Sequence, residues 1–202
     1  MSSEYVLPTK IFLMELRKKL SLVNFSKKIL EKKRDSLQSA INKTMEEMKE
    51  VIVFLKRKLV DLLEYIVSVH LIYGDSVRRY ALAQREKLVL NVQYVSERGI
   101  IIPVLTIGKT PKIKDNYPEG VRALAREMEK NLPDMLKLVG IFLRLEILLR
   151  ELEITNRIVN TLDKILIPNI KEKISYILSM LSEFFISELS SLRVLLSQME
   201  GV

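Results

Sequence analysis

The side chains that could perform acid–base or metal chemistry are few and scattered along the chain. There is one histidine, His70, and no cysteine. A metal site or a histidine-based triad needs several such groups together, and the six glycines stand singly and form no phosphate-binding loop. Glu46, Glu47 and Glu50 have the spacing of helix-surface pairing with lysine. We therefore expect a non-catalytic chain without cofactor or metal, in which His70 is a partly buried helical residue.

Composition favours an elongated helical protein over a compact enzyme. The 202 residues include only six glycines and six prolines, and neither cysteine nor tryptophan. The lack of cysteine excludes a disulfide framework and is typical of a reducing compartment. No stretch has the layout of a signal peptide, and charged residues interrupt every long apolar run. We therefore expect no membrane-spanning segment.

The net charge of +8 is concentrated in one part of the chain. Fourteen Lys and Arg stand against six Asp and Glu between Lys10 and Lys58, whereas the rest of the chain is balanced. This excess is either a solvated outer face or a surface that meets an acidic partner such as a protein sleeve, nucleic acid or lipid headgroups. The pattern alone leaves both interpretations open.

One very long helix from Leu13 to Tyr73 must carry this charge. Its apolar residues recur every three or four positions, without Gly or Pro, and only Lys27, Arg34 and Thr44 are off-pattern. The steps from Ile41 through Thr44 to Ile52 predict a stutter, a local change of phase. A helix of this length spans roughly 90 Å and cannot fold inside a compact globule, so it needs a partner helix. Pro8 stops any earlier helix and Thr9 is expected to be the N-cap.

The middle of the chain has a different residue pattern, which predicts other secondary structure than a long helix. Gly74 and Asp75 end the long helix, and 76–85 could form a short second helix. Two β-prone runs over about 87–107, joined by a turn containing Gly99, predict a β-hairpin with Pro103 on an edge strand. A lone hairpin is only marginally stable in water. It is therefore expected to pack either on its own helices or on a partner chain.

The helical period returns in the last third. Helix is expected to resume near Glu119, to pause at Pro133, and to run from Asp134 to Met199 with a bend at Pro168. This stretch is the predicted partner of the first helix. With flush ends, the register would place Thr44 opposite Pro168 and Lys27 near Glu183.

The sequence therefore predicts a mainly α fold, a long antiparallel two-helix coiled coil with a short-helix and β-hairpin insertion in the middle. The expected organisation is a single elongated unit, 1–202. Residues 9–73 form the first helix, 74–133 the insertion and 134–199 the last helix.

Both ends of the chain resemble the D subunit of the archaeal A-type and vacuolar-type rotary ATPases. The family opens with Pro-Thr and continues with a basic Lys-Arg-Asp triplet; here these are Pro8-Thr9 and Lys33-Arg34-Asp35. The family's second motif is matched by residues 155–163, Thr-Asn-Arg-Ile-Val-Asn-Thr-Leu-Asp, and by Ile167-Pro168. The sequence departs from the family at Ile158, where an Arg is usual. It also departs over 184–193, which is more apolar than the family pattern.

This resemblance implies a central-stalk rotor subunit, a shaft that transmits torque between ATP hydrolysis or synthesis in a catalytic head and ion flow through a membrane rotor ring. The implied partners are the A and B subunits of the head, the F subunit of the stalk, and the C subunit (d in the vacuolar enzyme) that seats the foot, meaning the middle of the chain, on the ring. ATP would bind the head and not this chain. The implied location is the cytoplasmic face of the membrane, in a peripheral complex touching the membrane only indirectly, without nucleic acid.

The candidate site residues fall into three groups. Contact with the head is expected from the basic and motif residues Arg17, Lys18, Lys32, Lys33, Arg34, Arg157 and Asn160. Contact at the foot is expected from the apolar hairpin residues Tyr94, Val95, Ile100, Ile101 and Ile102. Structural roles are expected for Pro8, Thr9, Thr44 and Pro168.

Two other classes of function also use coiled coils. A prefoldin-like chaperone joins two helices through β-hairpin structure, but its helices are shorter. A basic scaffold could bind nucleic-acid phosphates, although no aromatic residues stand among the lysine runs to stack on bases.

Overall fold

The computed structural model describes residues 9–84, 86–97, 99–113 and 116–200, the side chains of 197–200 excepted. Its helices are α1 (Lys10–Tyr73), α2 (Ser76–Ala83), α3 (Glu119–Thr161) and α4 (Ile167–Glu200), with a π-helical turn, Leu162–Leu166, joining the last two. Between α2 and α3 lies an antiparallel hairpin of β1 (Val89–Glu97) and β2 (Ile100–Lys109). The predicted fold class, mainly helical with long first and last helices and a hairpin in the middle, is confirmed.

The chain divides into two compact units. Unit 1 combines Met1–Ser36 with Leu152–Val202, and unit 2 is Leu37–Glu151. The assignment of shaft and foot segments along the chain stays a prediction.

Local signals set both ends of α1. The Phe12 amide donates to the Thr9 hydroxyl at 3.2 Å, which is the geometry of an N-cap. Pro8 lies outside the described residues. At the other end Gly74 adopts φ +55°, a conformation that favours glycine, and its amide donates to the His70 carbonyl at 2.7 Å. His70 itself is exposed, so the expectation of partial burial was wrong. It lies one residue beyond the buried Val69, which turns its side chain away from the seam.

In unit 1, α1 packs antiparallel against α4 and the π turn. Leu13 and Leu16 share an apolar cluster with Ile170 and Ile177, and Ile177 is completely buried. Further along α1, Leu20 and Val23 pack on the same cluster, which extends on the other side from Leu166 to Leu181.

In unit 2, α1 packs against α3 in two clusters. Val51 and Leu55 contact Ile141. Leu62 and Val69 pack with a second group of side chains. Tyr117 lies in the loop before α3, and Val121 and Leu124 lie in the first turns of α3. An ion pair between Lys58 and Asp134, at 2.6 Å, joins the same two helices.

Burial along α1 corrects the predicted stutter. Ile41, Leu55, Leu62 and Val69 are buried and Met48 is half-buried, which is an unbroken seven-residue repeat. The second seam position after Thr44 is Val51, which is buried, and not Ile52, which is 43 % exposed. The error arose because the two neighbouring residues are both apolar. Thr44 is tolerated in the seam because its hydroxyl donates to the Ala40 carbonyl at 2.9 Å.

The predicted pause at Pro133 was also wrong, because α3 runs through this residue from Glu119 to Thr161. An interior proline removes one backbone hydrogen bond and costs about 3 kcal/mol. Here the helix is held against α1 on both sides of the proline, by Val121 and Leu124 before it and by Ile141 after it. Burial of those side chains outweighs the local preference to stop.

The fourth correction concerns the register. Lys27 lies opposite Asp163, with Nζ 2.6 Å from Oδ1, and not near Glu183. The pairing is therefore shifted by about three heptads from the flush-ended prediction. Thr44 and Pro168 belong to different compact units. Before Pro168 the chain forms the π turn Leu162–Leu166, a usual way to absorb a disturbed helical ladder.

Candidate partner-binding surfaces

The basic face of α1 in unit 1 is open to solvent. Arg17 and Lys18 are exposed, and so are Lys32 and Lys33. Arg34 is half-buried and its guanidinium pairs with the neighbouring Asp35 at 3.2 Å. Most of the predicted head-contact charge thus lies on an accessible face of the helix.

Sequence reasoning overlooked an apolar row on the same stretch. Its members are 51–72 % exposed and lie on the side of α1 away from Leu13 and Leu16: Ile11, Met14, Leu22, Phe25 and Ile29. Phe25 and Leu20 line a shallow groove that also contains Arg17 and Lys28. The surface therefore offers apolar contact and positive charge together. The signal was present in the sequence, because the spacing of these residues places them on one face of α1, opposite the seam.

The second motif of the resemblance contains both buried and exposed positions. Thr155 and Val159 are buried, whereas Arg157 and Asn160 are exposed. Arg157 forms an ion pair with Glu153 one turn earlier, at 3.0 Å. These two predicted contact residues are thus accessible, but α3 and not α1 carries them.

Lys27 and Asp163 form the ion pair that spans unit 1. The hydrogen bond from Lys27, together with its charge, lowers the pKa of the Asp163 carboxyl below its ordinary value. The same hydrogen bond raises the pKa of Lys27. The Lys27 side chain is only 23 % exposed, so a seam lysine is accommodated by reaching out to a carboxylate at the edge.

The last part of α4 is exposed to solvent. Leu181 is the last residue of α4 in the apolar cluster of unit 1. Beyond it every described side chain from Ser182 to Leu196 is exposed. The row contains eight large apolar residues: Phe184, Phe185, Ile186, Leu189, Leu192, Val194, Leu195 and Leu196. So much exposed apolar surface marks an interaction site.

The hairpin presents one covered and one open surface. Ile100 and Ile102 are buried within unit 2, whereas Tyr94, Val95 and Ile101 are 51–73 % exposed. Of the five predicted foot residues, only these last three can meet a partner without a rearrangement. Arg144 of α3 donates to Glu97 at 2.7 Å and ties the hairpin to the helix. A cavity of about 500 Å³ lies between β2 and α3, lined mostly by apolar side chains.

The loop between β2 and α3 is fixed to the end of α2. Gln84 donates to the Lys112 carbonyl at 2.7 Å, and the Lys112 amide donates to the Glu86 carboxylate at 3.1 Å. The second bond, together with nearby Lys109, lowers the pKa of Glu86. The rings of Tyr80 and Tyr117 pack with centroids 5.0 Å apart. These contacts position the loop that leads into α3.

Neither a metal-binding cluster nor a membrane-spanning helix is found in the residues that the structure describes. Within them, no three His, Cys, Asp or Glu side chains gather in a group suited to a metal ion. No described helix has both the length and the apolar content needed to cross a membrane.

Comparison with known proteins assigns the chain to an ATP synthase. A family model described as the ATP synthase D subunit matches residues 12–196. The D subunit of the A-type ATP synthase of Saccharolobus solfataricus is 25 % identical, covering 96 % of this chain and 93 % of the relative. That of Methanosphaera stadtmanae is 26 % identical, covering 93 % and 92 %. The D subunit of the V-type ATP synthase of Acetivibrio thermocellus is 26 % identical, covering 87 % and 83 %.

These relatives define the class as subunits of A-type and V-type ATP synthases, which are membrane-associated complexes. Because the family model spans nearly the whole chain, the protein belongs to the ATP synthase D-subunit family. The resemblance to this family that the sequence predicted is thereby confirmed.

Proposed function

We propose that this chain is the non-catalytic central-stalk subunit of its ATP synthase and transmits torque between the ATP-handling head and an ion-translocating membrane rotor. One observation carries the proposal. The single 64-residue helix α1 runs without a break through both compact units and in each is packed against a helix from the second half of the chain. Such a pair resists twisting because rotation of one helix on the other must unpack the seam.

The surfaces of unit 1 suit a part that turns inside a sleeve. The basic face of Arg17, Lys18, Lys32 and Lys33 supplies diffuse attraction to an acidic wall and does not fix one orientation. The apolar end of α4 after Leu181 would be covered by the head. We assign both surfaces to the A and B subunits, which would bind ATP.

The surfaces of unit 2 suit the foot. Tyr94, Val95 and Ile101 of the hairpin are exposed and apolar, which favours contact with the F subunit of the stalk or with the C (or d) subunit above the ring. The chain would then reach the membrane only through its partners, at the cytoplasmic face. Neither a chaperone nor a nucleic-acid scaffold is favoured by a specific observation.

The proposal is tested by reversing charge on the shaft in a reconstituted ATP synthase. Replacement of Lys32, Lys33 and Arg34 by Glu leaves the apolar residues of the α1 seam in place, because Lys32 and Lys33 are exposed and Arg34 is a half-buried, charged position. We expect ATP hydrolysis to continue while ATP-driven ion pumping falls by at least several-fold, or the chain to dissociate from the head. Far-UV circular dichroism should remain unchanged.

The matched control exchanges the same residues without changing their charge: Lys32→Arg, Lys33→Arg and Arg34→Lys. It should pump like the wild type. Unchanged coupling in the Glu variant would contradict the assigned head contact. Full coupling in a complex that lacks this chain would refute the proposed function itself.

A further inference from the structure

The cavity of about 500 Å³ between the hairpin and α3 lies wholly within unit 2. One wall is a stripe of α3 whose members recur at helical spacing: Pro133, Leu136, Lys137, Gly140, Ile141 and Arg144. The other wall is formed by residues 102–107 of β2 with Val95 and Glu97 of β1. From Pro133 to Arg144 the stripe extends about 16 Å at 1.5 Å per residue. The cavity therefore has room for the extended chain of a small molecule.

Gly140 gives this cavity its width. A Cβ added at Gly140 would meet no neighbouring atom within 4 Å, although the residue lies in the middle of α3. An interior glycine makes a helix less stable than alanine does, and here no close packing against the hairpin requires it. Protein interiors contain few voids larger than a water molecule, whereas ligand sites are mostly apolar cavities of about 300–1,000 Å³ with a few polar groups. The size and lining of this cavity are those of a ligand site.

Three charged side chains line the cavity, and two of them are basic. Arg144 Nη2 donates to Glu97 Oε1 at 2.7 Å. The Nε atom of Arg144 is buried and has no hydrogen-bond partner within the described residues. Lys137 is exposed and forms no ion pair with any described residue. Because a buried donor without an acceptor is destabilising, the site calls for an acceptor that carries negative charge.

We propose that the cavity binds an amphipathic anion, a molecule with one apolar chain and an acidic head group. The head group accepts a hydrogen bond from Arg144 Nε, and the chain extends along α3 past Gly140 toward Pro133. Lys137 at the rim adds electrostatic attraction. An apolar side chain of another protein would occupy the same space but would leave Arg144 Nε without an acceptor. The site is separate from the proposed transmission of torque and does not depend on it.

Titration calorimetry of the purified chain tests the proposal with three probes, kept below their critical micelle concentrations: decanoate, decyl phosphate and decanol. The two anions carry a carboxylate and a phosphate head group, and decanol is the neutral molecule with the same chain. We expect at least one anion to bind as one molecule per chain and at least tenfold more tightly than decanol. The preferred anion distinguishes a fatty acid from a phosphate-bearing lipid. Equal affinity for decanol, no saturable binding, or binding only in several copies would overturn the proposal.

Two variants locate the bound molecule, and far-UV circular dichroism checks that each is folded. Gly140→Leu fills the space beside α3 and should lower the affinity for the preferred anion at least tenfold. The matched control is Val139→Leu, at a residue that is 45 % exposed and outside the cavity lining, and it should bind like the wild type. Arg144→Gln keeps the apolar walls and should lower the affinity for the anion at least tenfold without changing that for decanol. Wild-type affinity for the anion in Gly140→Leu or Arg144→Gln, or equal losses for both ligands in Arg144→Gln, would refute the site.

Discussion

Truncation of Ile177 tests the seam of unit 1. This side chain is 0 % exposed and packs with Leu13, Leu16 and Ile170. Ile177→Ala removes three carbons, which at about 0.8 kcal/mol per buried carbon costs roughly 2.4 kcal/mol. A residual cavity adds to this cost. Because Ile174 and Leu181 are only half-buried and can relax into the space, we expect a total of about 3 kcal/mol in the free energy of unfolding.

The matched control is the next large apolar residue. Leu178→Ala also removes three carbons, but Leu178 is 42 % exposed and outside the cluster. Its loss should cost less than about 1 kcal/mol. Urea titrations of the purified chain, followed by far-UV circular dichroism, compare the two variants. Equal destabilisation, or a loss below about 1 kcal/mol for Ile177→Ala, would refute the packing of α4 on α1 at this position.

Three further predictions concern register, pH and helix continuity. Carbodiimide should join Lys27 to Asp163, which are 2.6 Å apart, and mass spectrometry should find that link; a link from Lys27 to Glu183 would restore the flush register. Asp163→Asn should lower the melting temperature near neutral pH but not in acid. A carboxyl whose pKa is lowered on folding stabilises the protein above its ordinary pKa of 3.8, and this stabilisation is lost as the pH falls through the pKa of the folded state. Because the pKa of Lys27 is raised on folding, the stabilisation by the ion pair is also lost as the pH rises beyond 10.5, and the melting temperatures of the wild type and of Asp163→Asn should become equal there too. A difference in melting temperature that persists at both pH extremes would contradict the ion pair. Pro133→Ala should stabilise unit 2 by about 2 kcal/mol, since it restores an interior amide while freeing the unfolded chain, and no gain in a urea titration would argue for a break in α3.

The sequence predicted elements better than it predicted their alignment. Periodicity identified the long helix, and Gly74 and Gly99, at φ +55° and +77°, mark its end and the hairpin turn. The register failed because a seam of leucine and isoleucine looks the same after a shift of whole heptads. Only a polar residue in the seam, such as Lys27, distinguishes one register from another. The assumption of flush helix ends assigned Lys27 the wrong partner. Asp163, which it contacts, was the informative residue.

Tertiary packing explains the remaining differences. Pro133 has a local preference to interrupt a helix, but the clusters around Leu124 and Ile141 hold α3 in place. Ile100 and Ile102 could not be distinguished from Ile101 without knowing which face of the hairpin meets α3.

Rotation of this chain relative to the head is the most direct test of the proposed function. Because the chain has no cysteine, a single one at Arg78, exposed on α2 and outside the proposed contact surfaces, can carry a visible bead while the head is fixed to a surface. A rotor subunit predicts that ATP drives the bead in one direction, in discrete steps, and that the motion stops without ATP. A bead that stays fixed while the same complexes hydrolyse ATP would contradict the account.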